Sequence, residues 1–187
     1  MINLSGRTLR RGSRAAKLLA AAALAALLGG APLGGAFAES AGPVPIALLG
    51  VKMQNDHAEW IPTSDAERDR IRKLEETFRT MLEQSGRYTF KPIDPSMRAQ
   101  IDQDQALGSC AGCELRYGKA AGAREVAWIE VQKVSELILN LNVYMADVET
   151  GKRIFGKSVD LRGNSDESWR HAIRYLVKNY LLPSAKS

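Results

Sequence analysis

Residues 125–163, EVAWIEVQKVSELILNLNVYMADVETGKRIFGKSVDLRG, decide the fold of this chain of 187 residues. They alone carry a sustained β signal over three consecutive segments. In LILNLNVYMADV, Leu137, Leu139, Leu141, Val143 and Met145 recur at every second position, with Asn140, Asn142 and Tyr144 between them. That spacing is the pattern of a strand with one buried face. Asp147 to Gly151 (DVETG) reads as a turn, and Phe155, Val159 and Leu161 resume in one register, so the two segments form a hairpin. Glu125 to Val134 is the strand that precedes it.

Working outward, Ile46 to Met53 (IALLGVKM) is a short, nearly continuous apolar run, as expected of a strand covered on both faces. Gln54 to Ser64 has no period and reads as a loop. Ser64-Asp65-Ala66-Glu67 is a capping box, after which Ile71, Leu74, Phe78, Met81 and Leu82 line one helical face until Gly86. Arg87 to Ile93 alternates as a second strand, and Pro92 places it at a strand end or a sheet edge. Asp94-Pro95 opens a largely exposed helix, Ser96 to Gln105. A small-residue helix is expected over Cys110 to Ala121. The last helix follows Asn164-Ser165-Asp166 and puts Trp169, Ile173, Leu176, Val177, Tyr180 and Leu181 on one face, ending at Pro183 before a frayed SAKS tail. The fold class is therefore α/β (α+β): one domain with a mixed five-stranded sheet, in the order β-α-β-α-α-β-β-β-α.

Residues 1–38 have the three parts of a secretory signal: a basic leader (Arg7, Arg10, Arg11, Arg14, Lys17), an apolar run from Leu18 to Leu28, and the small-x-small site Ala36-Phe37-Ala38. The apolar run is too short to span a bilayer as a helix. Arg10-Arg11 resembles a twin-arginine pair but lacks the apolar residues expected just after it, so the general secretory route is the reading. No cysteine lies near the cut, which gives no support to a lipid-anchored start. Five of the 26 Lys and Arg residues fall in this leader, leaving 21 against 21 Asp and Glu in residues 39–187. A formally neutral body of this size fits one soluble periplasmic domain and gives no support to a nucleic-acid partner.

Cys110-Ala111-Gly112-Cys113 is the sharpest local motif. In an oxidising compartment this spacing reads first as a structural disulfide. Thiol exchange is the alternative, if a helix start lowers the pKa of Cys110. Haem attachment is excluded because Glu114 follows Cys113, and a zinc site lacks further Cys or His, since His57 and His171 stand alone. Asp102 and Asp104, Asp147 and Glu149, and Asp166 and Glu167 invite a metal but match no calcium loop; each reads as solvated surface or a cap. The chain has no nucleophile elbow, zinc-protease motif or phosphate loop, so a non-enzyme is expected, with no cofactor. A protein contact is the better candidate. Trp60 and Ile61, beside Pro62, either anchor a partner, with His57 of the same loop as a third contact, or fold back over the core edge.

IALLG, LEETFRTMLEQSGRYTF, the block from CAGCELRYGKAAG to DVETG, and SDESWRHAIRYLV together resemble an exported proteobacterial family of unknown function, a predicted periplasmic domain, over nearly all of residues 44–182. The layout is also similar to the amino-terminal domain of TolB and to CsgG-type periplasmic domains. The resemblance implies a docking or adaptor role, accessory to a periplasmic or envelope system such as a transporter, secretion machinery or a quinoprotein dehydrogenase. A small-ligand or metal-binding accessory role is a further alternative.

Overall fold

The structure is a computed structural model that describes residues 42–104 and 106–183; the expected leader at 1–38 and the SAKS tail lie outside the described residues. Its frame is the sheet anticipated from the period-two segments. The strands are β1 (Val44–Asn55), β2 (Tyr88–Phe90), β3 (Glu125–Lys133), β4 (Ile138–Asp147) and β5 (Arg153–Arg162). Their order across the sheet is β2-β1-β3-β4-β5. β1 runs parallel to β2 and to β3, whereas β3, β4 and β5 form an antiparallel meander. The four helices are α1 (Asp65–Gln84), α2 (Pro95–Gln103), α3 (Cys113–Ala120) and α4 (Asp166–Leu176). A π-helical turn, Val177–Leu181, continues α4. The expected fold class and element order are both found.

One face of the sheet carries the larger core. Ile46, Leu48, Ile129, Val131, Leu139, Leu141, Val143 and Met145 are buried there against Leu74, Phe78 and Leu82 of α1 and Trp169, Ile173 and Leu176 of α4. Full burial of each such side chain stabilises by roughly 1.5–3 kcal/mol before chain entropy is set against it. On the other face a smaller core gathers Leu49, Val126, Trp128 and Ala146 under Ile101 of α2 and Cys113 and Tyr117 of α3. β1 is thus covered on both faces over Ile46–Leu49, as its apolar run requires. A bulge between Leu48 and Val51 interrupts its register with β3. Gly50 sits in this bulge at φ +135°, and Arg98 donates to the Leu48 and Leu49 carbonyls beside it. The extra residue switches the strand's phase, so Ile46 and Leu48 before it and Val51 and Met53 after it all face α1.

Three local expectations are corrected. Leu137 is not part of the buried row: it is 79% exposed and precedes β4. Ser135 Oγ accepts the N–H groups of Leu137 and Ile138, so the chain is still turning there. The third helix begins at Cys113, not Cys110, because Ala111 and Gly112 have φ of +53° and +89°. Tyr180 is not on the buried face of the last helix but 39% exposed. The π turn, closed by Leu182 N–H on the Val177 carbonyl at 2.7 Å, adds one residue and lets Leu181 take the buried place.

Candidate functional site

The C-terminal ends of β1 and β3 are register partners, Asn55 opposite Lys133, and both strands leave the sheet into short loops there. Asp56 N–H donates to the Lys133 carbonyl at 3.4 Å, tying the two exits together. In the first loop Asn55 acts as the organiser. Its side-chain amide donates to the Ile61 carbonyl at 2.7 Å, and its side-chain oxygen accepts the His57 N–H at 3.1 Å. The His57 carbonyl accepts from both Trp60 and Ile61. This closed turn leaves Trp60 84% exposed and Ile61 52% exposed, with His57 exposed beside them. The reading in which Trp60 folds over the core edge is not what the structure adopts.

The second loop, between β3 and β4, adds apolar surface at the same end of the sheet: Val134, Leu137 and Ile138 are all exposed. Sequence reasoning missed these because the alternation of β4 runs on smoothly into Leu137. The signal that could have found them is Ser135-Glu136, a polar pair between two apolar runs whose serine can cap the turn. Acidic side chains flank both loops: Asp56 and Glu59 in the first, Glu136 in the second.

Beneath the loops lies a buried ionic knot. Glu67, third residue of α1, is 1% exposed, and Lys133 at the end of β3 is 3% exposed. Lys133 Nζ lies 2.6 Å from Glu67 Oε1 and also pairs with Glu136. Asn164 Nδ2 donates to Glu67 Oε1 at 2.7 Å and to Glu136 at 2.8 Å, and Asn164 Oδ1 accepts Trp169 Nε1 at 3.0 Å. The other carboxylate oxygen of Glu67 closes the capping box on the Ser64 N–H at 2.7 Å. Burial pushes the Glu67 carboxyl up, but the hydrogen bonds from Lys133, Ser64 and Asn164 outweigh it and hold the group at about 2. Burial pulls Lys133 down, and Glu136 and Glu67 more than restore it, so its ammonium is raised above the ordinary value. The knot therefore joins the starts of α1 and α4 to the base of the apolar end.

The cysteine motif sits elsewhere, under the other face. Cys110 and Cys113 lie at disulfide distance with their Cα atoms 5.4 Å apart, and Cys113 is buried. The Glu114 carboxylate lies within 4.8 Å of both sulfurs. It already accepts the Gly108 N–H, which folds the preceding loop over Trp128. With its sulfurs at disulfide distance and its carboxylate on the Gly108 N–H, this group ties down the loop over Trp128. Cys110 also stands before the helix instead of at its first turn, which removes the helix-start argument for a reactive thiolate. At least one member of each acidic pair is engaged as well: Asp102 with Lys52, Asp104 with Tyr117, Asp147 with Thr150, and Asp166 with Arg70 and Lys73.

Mixed sheet and helices on both faces together define a small α+β domain. The chain belongs to the DUF3280 family, described as "Protein of unknown function (DUF2380)", whose model matches residues 44–181. This bears out the resemblance to a family of unknown function. No curated protein matches the chain in sequence. Among solved structures, lipoprotein GNA1162 from Neisseria meningitidis is similar at 14% identity and a TM-score of 0.50, over 77% of this chain and 100% of that one. The LpoB C-terminal domain from Salmonella enterica matches at 15% identity and a TM-score of 0.46, over 65% of this chain and 84% of that one. TolB from Acinetobacter baumannii matches at 17% identity and a TM-score of 0.40, over 72% of this chain and 28% of that one. At such identities the GNA1162 likeness speaks for the fold alone. No helix among the described residues is long and apolar enough to cross a membrane.

Proposed function

We propose that this chain is an exported, non-enzymatic accessory domain that docks on a protein partner through the apolar end of its sheet. The observation that carries the reading is Trp60, 84% exposed on a loop held closed by Asn55. A large indole held in water by an ordered turn is the kind of side chain that dominates binding hot spots. Ile61, Leu137 and Ile138 enlarge the apolar surface at that end of the sheet, and Asp56, Glu59 and Glu136 give it an acidic rim. The fitting partner presents an apolar cleft bordered by Lys or Arg. An anionic membrane would be repelled by the same rim.

The leader composition of residues 1–38 supports delivery to the periplasm, with residues 39–187 as the working domain of an envelope system. The Cys110–Cys113 pair is read as a disulfide that fixes the loop over Trp128. The test is site-specific photocrosslinking in the native host. A photoreactive residue at position 60 or 137 is expected to yield one dominant adduct, absent when the probe is placed at exposed Lys119. Equal labelling from all three positions overturns the reading.

A further inference from the structure

The sheet ends very differently on its two sides. β2 closes one side with three residues. The other side ends in β5, RIFGKSVDLR, ten residues without proline. β5 keeps an unbroken register with β4 from Arg162 opposite Ile138 to Phe155 opposite Met145. Among the described residues nothing pairs with its outer side. Alternate backbone groups of a strand point to opposite sides, so about half of the N–H and C=O groups of β5 face outward as a template for another strand. Natural edges are commonly shortened, bulged, charged or interrupted by proline; β5 is bulged at its Arg153 end and carries Lys157, but from Phe155 to Arg162 it runs regular and without proline.

Beside that edge runs a groove of about 810 Å³ between β5 and the last helix, lined by Ser158, Val159 and Arg162 on one wall and His171, Tyr175 and Tyr180 on the other. The rings of His171 and Tyr175 stack at 6.2 Å, and Tyr180 meets Tyr175 edge-on at 5.8 Å. Lys157 Nζ lies 4.2 Å from the centre of the Tyr180 ring. These two tyrosines are five residues apart and would diverge on an α-helix. The π turn brings them together, and such turns are frequent at functional sites.

The charge of the region selects the occupant. From Arg153 to Leu181 six basic residues face three acidic ones, in a body whose Lys and Arg equal its Asp and Glu from residue 39 onward. Arg162, Asp160 and Glu167 line the groove itself, so the excess there comes from the flanking Lys157, Arg174 and Lys178; Arg153 lies over Trp128 and Tyr144 on the other face, and Arg170 faces α1. Asp166, the third acidic residue, is neutralised by Arg70 and Lys73. A second copy of this chain would set the same positive excess against itself.

We propose that the β5 edge and its groove take up an extended, acidic segment of a partner protein as a sixth strand, with alternate side chains entering the groove against Tyr175 and Tyr180. This is binding by strand addition: the backbone ladder supplies affinity and the groove supplies selection. It is a second surface, and it stands whether or not the Trp60 end binds anything.

The test uses three synthetic ten-residue β-forming probes: one alternating Glu with Val, its Lys counterpart, and the Glu probe N-methylated at every second residue. Anisotropy titration of the purified protein is joined to backbone hydrogen exchange. The Glu probe is expected to bind and to add protection within Arg153–Arg162. N-methylation, which removes one row of donors at constant charge, is expected to weaken it by about tenfold or more. Lys157→Glu with Arg174→Glu is expected to weaken it similarly, with an unchanged circular dichroism spectrum. Equal binding of the parent and methylated probes, or of the Glu and Lys probes, overturns the proposal. So does no binding by the Glu probe. A free protein that sediments as a dimer with β5 already protected overturns it in favour of a second copy.

Discussion

Lys133 Nζ lies 2.6 Å from Glu67 Oε1, with both side chains almost wholly removed from water. One residue ends β3 and the other begins α1, so the pair fixes how the first helix enters over the sheet. Removing one partner of such a pair leaves a buried charge without compensation, typically at about 3–5 kcal/mol. Lys133→Met is therefore expected to lower the unfolding free energy by that order in urea titration. Glu136 also pairs with Lys133, but its side chain is 60% exposed, so Glu136→Gln is expected to cost about 1 kcal/mol or less. Equal losses for the two variants would show that burial is not what makes the pair matter.

The same carboxylate sets an acid limit. Glu67 is held at about 2 in the fold against 4.5 ordinarily, so the folded state binds its proton less readily than the unfolded one. Its contribution is complete above pH 4.5 and is lost as pH falls from there towards 2. The shift corresponds to roughly 3 kcal/mol across that window. Glu67→Gln is expected to be less stable than the parent at pH 7 and to lose less stability on acidification. Parallel stability curves for the two proteins between pH 5 and 2 would contradict this.

Gly118 of α3 packs closely against β3 and the turn after β4. A Cβ there would stand 2.7 Å from Val148 Cγ2 and 3.2 Å from Val126 Cβ. Gly118→Ala, which helix propensity alone would favour, is expected instead to destabilise by about 1–3 kcal/mol through overpacking. Lys119→Ala, one residue on and exposed, is expected to stay within about 0.5 kcal/mol. Thermal unfolding of the two variants decides between propensity and packing.

Cys110 and Cys113 are three residues apart, and a bond closing so short a loop restricts the unfolded chain little. The chain-entropy relation gives about 2 kcal/mol for it. Reduction, or the double change Cys110→Ala and Cys113→Ala, is expected to cost no more than about that amount in urea titration. Thiol alkylation of unreduced protein is expected to label neither residue. Free thiols in protein purified under oxidising conditions would refute the disulfide.

Much of this was legible because one face of the sheet is buried and a period of two exposes that fact. Leu139 to Met145 and the stripe from Leu74 to Leu82 both landed where their spacing put them. Errors arose where periodicity outran the element. The alternation of β4 continues into Leu137, but the Ser135 turn ends the strand, and the helical spacing reaches Tyr180, but a π turn changes its phase. The Glu67–Lys133 pair spans 66 residues, so the capping box was visible and its ionic partner was not. For Trp60, sequence favoured core cover over exposure, on the general tendency of Trp to be buried. The bond from Asn55 to the Ile61 carbonyl, a local contact with no periodic signature, settles its exposure.

That exposure separates function from stability. Trp60 and Leu137 are 84% and 79% exposed, so neither contributes much to the core. Trp60→Ala and Leu137→Asp are each expected to change unfolding free energy by no more than about 0.5 kcal/mol. Under the docking reading each is also expected to weaken partner binding by 2 kcal/mol or more, which is about thirtyfold in Kd. Leu137→Asp removes apolar area but adds a charge that a Lys- or Arg-bordered cleft attracts, so its binding loss should grow at high salt by more than that of Trp60→Ala. The measurement is a titration with the partner recovered by crosslinking, run beside urea unfolding of the same preparations. Full binding by both variants would take the loop end out of the interface.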